Sequence, residues 1–383
     1  MPVPFPLGAA VTIDELDADP HPTLARLRER EPVSWLPCLD GWLVTRHDLA
    51  LAAMRDWRTF TVDDPRFSTA QVVGPSMLSL DGEEHARHRT PFVAPFRPGE
   101  VKQHFAAVAQ AEAQRLVEAI EPAGAAELRR SFAGPMSAAI VTRALGLKRD
   151  EVADVLGWYD AIVASVTSIT AGRGRTDAGD AAFASLRERL GGVIRAAGDR
   201  SLLADAAGGA GRSALSSDQV VSNAAVLLFG GIETTEGMIA NAALMLLEQP
   251  HQLSSARADP AALDAALDES LRLEPAAAVI DRYATADVEL AGAGIRRGDL
   301  VRISIAGANR DPAVFAAPDK FDLERPRRGN LAFAQGPHVC VGVHLARLEA
   351  RAALAELLGG LPGLRLDPTD PPAIRGLVFR KPP

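Results

Sequence analysis

Cysteine is nearly absent from this chain. Cys38 and Cys340 are the only two in 383 residues; they lie far apart in sequence, and a reducing compartment with no disulfide is the simplest account of them. Lysine is scarce too, limited to Lys102, Lys148, Lys320 and Lys381, so the basic residues are nearly all arginine. That bias hints at a G+C-rich bacterial genome. The opening Met1-Pro2-Val3-Pro4-Phe5-Pro6 has neither a basic segment nor a long apolar run. No signal peptide and no membrane anchor are expected, and a soluble, cytoplasmic protein is. Positive charge is not in excess either: the net charge of -8 argues against a nucleic-acid partner. No Ser/Gly/Pro linker divides the sequence, so one large domain over residues 1–383 is expected. With 47% hydrophobic and 23% charged residues it has enough apolar surface for a substantial core.

What is present centres on Phe333-Ala334-Gln335-Gly336-Pro337-His338-Val339-Cys340-Val341-Gly342, followed by Val343-His344-Leu345-Ala346-Arg347. This reads as a glycine-punctuated loop delivering one cysteine to the start of an amphipathic helix whose buried stripe carries Leu345, Leu348 and Leu357. Free N–H groups and the positive end of the helix dipole at that position favour thiolate over thiol. Gly336 and Gly342 would let backbone pass close to something bulky and flat. A haem fits that description, and thiolate ligation of its iron favours O–O cleavage. Taken alone, Cys340 reads more readily as a buried structural cysteine, as most lone cysteines are.

Phe333, Gly336, His338, Cys340, Gly342 and the trailing Leu345-Ala346-Arg347 together resemble the haem-binding loop of the cytochrome P-450 family. The sequence departs from it at Ala334, where the family usually carries glycine; a stiffer loop with altered hydrogen bonding to the thiolate is expected. The resemblance implies a mainly α fold with small β-sheets (α+β), haem b held by Cys340, and contacts to it from Phe333, His338 and Gly342.

Pro22 to Arg30 reads as a helix, Val33-Ser34-Trp35 and Trp42-Leu43-Val44-Thr45 as two strands, and Asp48 to Arg55 as a helix. Trp35, Trp42 and Trp57 read as core and sheet packing. Phe60 to Leu80 lacks helical periodicity and contains Pro65, Gly74 and Pro75, so a long loop over the pocket is expected. Beyond it His85 and Arg89 stand four apart, on one helical face. That spacing alone suits an exposed helix, but the resemblance places the pair on the haem propionates, whose buried carboxylates need cationic partners.

From Val101 to Gly198 the pattern is helical, broken at Pro122-Ala123-Gly124, at Gly134-Pro135 and at the flexible segment Ala171 to Gly179, which by resemblance hinges the lid over the substrate channel. Residues 199 to 215 read as a glycine- and alanine-rich connection. Ser216 and Gln219 make a capping-box start to a helix without a breaker until Pro250. Within it Gly230-Gly231-Ile232-Glu233-Thr234-Thr235 is poor helix chemistry, costing on the order of 1–2 kcal/mol relative to alanines. It resembles the family's oxygen-activation segment: a local widening for dioxygen, with Thr234 donating a hydrogen bond to it and Glu233 relaying protons. A plain kink against a neighbouring helix is the alternative.

Asp259-Pro260 starts a helix that ends before Pro275. On it Glu269 and Arg272, three apart, would ordinarily be a surface pair; the resemblance buries them with a third member, for which Arg325 is the candidate. Strands are expected at Val288-Glu289-Leu290 and Val301 to Ile305, around the turn Arg297-Gly298-Asp299. Arg282 matches the family's propionate-binding arginine, the alanines before it would line the pocket, and Asn309-Arg310-Asp311-Pro312 fits the family's approach to the thiolate loop. Ile374 to Phe379 resembles its final pocket hairpin, stopping a few residues early.

The function these resemblances imply is a soluble bacterial haem-thiolate monooxygenase, monomeric, acting on a hydrophobic small molecule. Dioxygen and two electrons would be used, the latter from a ferredoxin and ferredoxin reductase fed by NAD(P)H. Arg97, Arg327, Arg328, Arg347 and Arg351 read either as a basic patch that would dock the ferredoxin or as scattered solvated arginines. Apolar residues such as Val226, Leu227, Val279 and Ile280 would line the site, and a terpenoid, steroid or polyketide-like substrate is the base-rate expectation. The rivals are a peroxide-driven, coupling or desaturating haem-thiolate enzyme and a non-catalytic haem carrier.

Overall fold

The alternating apolar residues of the N-terminal stretch pair as expected. Strands β1 (Val33–Leu36) and β2 (Gly41–Val44) run antiparallel, with Trp35 opposite Trp42. Trp42 packs edge-on against Trp35 at 5.5 Å and Phe5 at 5.1 Å, and its indole N–H donates to Asp299 at 2.9 Å. The tryptophan is thus a sheet residue with its polar atom satisfied. β3 (Phe60–Thr61), β4 (Val279–Ala284) and β7 (Leu300–Ser304) complete a sheet of order β1-β2-β7-β4-β3, with β2 and β7 parallel. β5 (Val288–Leu290) and β6 (Ala293–Ile295) form a separate hairpin. Apart from isolated bridges pairing Ala277 with Phe379 and Arg375 with Lys381, the other regular structure among the described residues is helical, so the fold is mainly α with small β-sheets.

This is a computed structural model, describing residues 5–170, 172–196, 202–207 and 214–382. By density of contacts the chain falls into two compact units that interleave in sequence. One takes Met1–Thr61, Glu236–Cys340 and Ala350–Pro383; the other takes Val62–Thr235 and Val341–Glu349.

In the first unit the expected helices lie at His21–Arg30, His47–Arg55 and Pro260–Leu273, the last with the Asp259 carboxylate accepting from the Ala261 N–H at 2.8 Å. Phe60 to Leu80, which begins at the end of the first unit's N-terminal segment and continues into the second unit, is not the plain loop its sequence suggests. It contains the strand β3 and a six-residue helix, Ser68–Val73, with Thr69, Val72 and Val73 buried. One turn of helix is too short for periodicity to reveal it. The helices Val152–Thr170 and Asp177–Ala196 are joined through residues 171–176. Of the expected hinge, Ala171 lies outside the described residues. The remainder is tied down: the Ser165 hydroxyl accepts from the Thr176 N–H at 3.1 Å, and a Cβ on Gly179 would fall 2.4 Å from that of Ser165. With Arg149–Glu151 before it, Val152–Thr170 is also long and apolar enough to cross a bilayer, a test that core helices of soluble proteins pass as well. Of the expected connection at 199–215, Leu202–Ala207 is a helix, 214 and 215 are described, and the rest lies outside the described residues.

Glu274 is a hub that the sequence did not announce. Its buried carboxylate accepts from Arg380 Nε at 2.9 Å and from Arg310 at 3.1 Å, and it pairs with the His21 ring. Residues from both ends of the chain thus meet on one acid. Burial alone would raise its pKa, but His21, Arg380 and Arg310 outweigh that and hold it at about 2. Since the folded-state value is depressed, the stability it supplies is present above the ordinary value of 4.5 and is lost as pH falls from there toward 2. The full difference corresponds to about 3 kcal/mol. Glu274→Gln is expected to flatten the fall of the urea midpoint between pH 5 and 3.5. An unchanged slope would assign acid sensitivity to other carboxylates.

Candidate functional site

The cysteine loop, in the first unit, is folded over a buried asparagine. Asn309, wholly inaccessible, accepts the Leu331 N–H at 2.8 Å and donates to the Asn330 side chain at 3.0 Å. The loop closes on itself through the Cys340 N–H, which donates to the Phe333 carbonyl at 2.9 Å. Its neighbours in the Asn-Arg-Asp-Pro segment act elsewhere: Arg310 holds the Leu273 carbonyl, Asp319 and Glu274, and Asp311 accepts the His47 N–H at 2.9 Å, capping the helix His47–Arg55 from a distance. Cys340 is exposed and outside any disulfide; the half-buried Phe333 and His338 flank it in sequence, His338 in the short helix Gly336–His338.

Glu269, Arg272 and Arg325 form the expected buried triad. Arg272 donates twice to Glu269, both at 2.8 Å, and Arg325 Nε donates to it at 2.8 Å. The other Arg272 donors reach the carbonyls of Asn309, Pro318 and Lys320, and Arg325 reaches those of Ala316, Ala317 and Lys320. All five Arg272 N–H groups are used, the condition under which burying such charges is tolerable. Through the Asn309 carbonyl the triad holds the residue on which the cysteine loop is folded.

The loop glycines have different reasons to be there. Gly336 has φ +77°, and a Cβ on it would lie 2.7 Å from the Met54 carbonyl oxygen. The helix beneath it by itself requires glycine there. A Cβ on Gly342 would meet nothing within 4 Å. Ala334 has φ +57°, a left-handed backbone that its methyl disfavours, by on the order of 1 kcal/mol. This is why glycine suits the position. Ala334→Gly is expected to raise the melting temperature by about 1 °C for a chain of this length, read by calorimetry. A lower value would mean that backbone entropy outweighs the relief of strain.

The long helix runs unbroken over Ser217–Leu247, its part up to Thr235 belonging to the second unit, with the expected capping box: the Gln219 N–H donates to the Ser216 hydroxyl at 3.2 Å and the Ser216 N–H to the Gln219 side chain at 3.0 Å. From Val220 to Thr235 its residues are buried except at Leu227, Gly230, Gly231 and Thr234. Those positions are spaced three, one and three apart, a single stripe along the helix. The helix stays α-helical through the Gly-Gly pair. Gly231 is instead a packing glycine, since a Cβ there would strike the Val141 side chain at 2.4 Å, whereas one on Gly230 would meet nothing within 4 Å. Glu233 is buried beside the stripe. The Thr234 hydroxyl donates back to the Gly230 carbonyl at 2.6 Å. Its proton is thereby engaged and its lone pairs are what it presents outward, the reverse of the donor role expected from sequence.

Of the remaining candidates, His85 and Arg89 share the inward face of the helix Gly82–Val93 with His88 and Phe92, His85 buried and Arg89 half-buried. Arg282, buried in β4, donates to its neighbour's carbonyl at 2.8 Å. The structure therefore brings Cys340 to Phe333 and Thr234 to Gly230, and puts His85 and Arg89 on one face. Sequence reading missed Asn223, whose side chain is wholly buried in the long helix; an amide within Val220-Val221-Ser222-Asn223-Ala224-Ala225-Val226 should have signalled partners, because buried polar groups are bonded.

A family model described as cytochrome P-450 matches residues 193–361. Cytochrome P-450 monooxygenase PikC of Streptomyces venezuelae is 34% identical over 388 residues, covering 94% of this chain and 90% of that one. The chain belongs to the cytochrome P-450 family. It is also similar to the 20-oxo-5-O-mycaminosyltylactone 23-monooxygenase of Streptomyces fradiae, 33% identical over 90% of this chain and 83% of that one. Among solved structures CalO2 superposes with a TM-score of 0.86 at 31% identity, covering 97% of each chain. As a P-450 monooxygenase the chain uses haem b. The residues present fit that group: an accessible thiol, a buried or half-buried His85, Arg89 and Arg282 to meet its carboxylates, and an accessible stripe on an otherwise buried helix. When bound, the haem supplies the oxidising chemistry.

Proposed function

We propose that this P-450 inserts one oxygen atom into a hydrophobic secondary metabolite of polyketide or similar scale, by hydroxylation or epoxidation. Cys340 would supply the thiolate that holds the haem iron. His85, Arg89, Arg282 and His338 hold the haem carboxylates, with Phe333 and Gly342 against the ring. Glu233 relays protons, and Thr234, its own proton on Gly230, accepts a hydrogen bond from the group being protonated. The observation that carries this reading is the Glu233–Thr234 pair beside the one accessible stripe of a buried helix, since an enzyme driven by peroxide has no need to deliver protons there. The 20-oxo-5-O-mycaminosyltylactone 23-monooxygenase and the 6-deoxyerythronolide B hydroxylase of Saccharopolyspora erythraea, both at least 30% identical, support a macrolide-like substrate by their names.

The electrons come from a ferredoxin and its NAD(P)H-dependent reductase. Of the arginines considered for its docking, Arg351 is bound to Asp264 at 2.8 Å and Arg327 lies 3.6 Å from Asp268, so both present less charge than their sequence suggests. The test is a panel of macrolactones, steroids and fatty acids screened for the low-to-high spin shift of the ferric protein. Binders are then turned over with ferredoxin and reductase. A macrolactone-type product one oxygen heavier is expected. A shift only with small polar compounds, or turnover with peroxide alone, would overturn the reading.

A further inference from the structure

Resting on the reading that the segment before helix Gly82–Val93 covers the substrate, we infer that Asn223 is the positioning residue that fixes Pro75–Leu80, and so decides where Leu78 and Leu80 stand toward substrate. The segment is tied at its base, where the Asp81 carboxylate accepts the Val62 N–H at 2.9 Å. Its far end is held from the long helix. The Asn223 Oδ1 accepts the Met77 N–H at 2.7 Å, and its Nδ2 donates to the Gln219 carbonyl at 2.7 Å and to His88 Nδ1 at 3.0 Å.

The orientation of this amide is not a free choice. A backbone N–H can only donate, so the oxygen must face Met77, and the nitrogen is left for Gln219 and His88. His88 Nδ1 is therefore the acceptor in that pair, while its Nε2 lies 3.3 Å from Arg87 Nη2. Burial, helped by the neighbouring Arg87, lowers the His88 pKa and favours the neutral ring. One buried side chain thus joins three elements: the covering segment, the helix carrying His85 and Arg89, and the helix carrying Glu233 and Thr234. A second contact sits one turn away in the segment, where Gly74 has φ +83° and a Cβ on it would lie 3.1 Å from the Ser222 hydroxyl. Ser76, Met77 and Ser79 are buried, while Leu78 and Leu80 remain half-exposed and apolar. Fixing the backbone at Met77 therefore fixes both leucines.

The experiment uses the haem-loaded protein and two azoles, imidazole as the small iron ligand and 4-phenylimidazole as the bulky one, alongside hydrogen exchange of peptides covering 74–80 and 98–120. In Asn223→Ala, exchange at 74–80 is expected to rise by about tenfold or more, with 98–120 unchanged. Affinity for 4-phenylimidazole should change several-fold while imidazole binds as before. Asn223→Asp keeps an acceptor for the Met77 N–H, and should restore protection of 74–80 and the wild-type azole ratio. Unchanged exchange at 74–80 in the alanine variant overturns the inference; so does a rise shared equally by 98–120, or a failure of the aspartate to rescue. A wild-type protein that does not respond to imidazole would instead count against the haem reading, and leaves the exchange measurement able to judge Asn223.

Discussion

Glu269→Gln is expected to yield a chain that takes up little haem and unfolds at markedly lower urea. The Glu269 carboxylate accepts from Arg272 twice, from Arg325 and, at 3.2 Å, from the Asp322 N–H. An amide in its place turns an N–H toward a guanidinium and leaves two buried cations without a counter-charge. Breaking a buried pair in this way costs about 3–5 kcal/mol, whereas an exposed pair contributes little. The exposed Glu84–Arg87 pair, three apart on its helix like Glu269 and Arg272, is the internal comparison. Glu84→Gln should leave the urea midpoint and the haem content where they were. If both variants behaved alike, the triad would not be what secures the cysteine loop.

The second large effect is on coupling. Thr234→Ala is expected to bind haem and substrate normally, yet to form about tenfold less product per NAD(P)H, the remainder appearing as peroxide, because a hydrogen-bonding group at the site of protonation is gone. Thr234→Ser keeps the hydroxyl and its reach to the Gly230 carbonyl, and should recover most of the yield. Equal product per NAD(P)H in the alanine variant would remove Thr234 from the mechanism.

How much of this was legible in the sequence follows from range. Cys340 and its flanking residues, the capping box at Ser216 and Gln219, the cap at Asp259, and the Glu269–Arg272 pair are local patterns, and all sit in the elements their spacing implied. Arg325 was found because it resembles a known partner, not because anything near it demands Glu269. The failures are long-range or very short. Ser68–Val73 is too brief to show a period. Gly231 looked like a site for ligand but answers to Val141, a residue ninety positions earlier. Glu274 and Asn223 each gather partners from distant stretches, and no window of neighbouring residues contains that information. The polarity of Thr234 likewise needed coordinates, since a threonine serves as donor or acceptor according to where its proton is already bound.

The account depends on sulfur from Cys340 reaching iron, and the direct measurement is the absorption of the reduced, haem-loaded protein under carbon monoxide. The wild type should show the strongly red-shifted Soret band of a thiolate-ligated haem, and Cys340→Ser should lose it while still binding haem. A fully loaded wild type whose band stays where nitrogen-ligated haem proteins absorb, or a serine variant that keeps the shifted band, would contradict it.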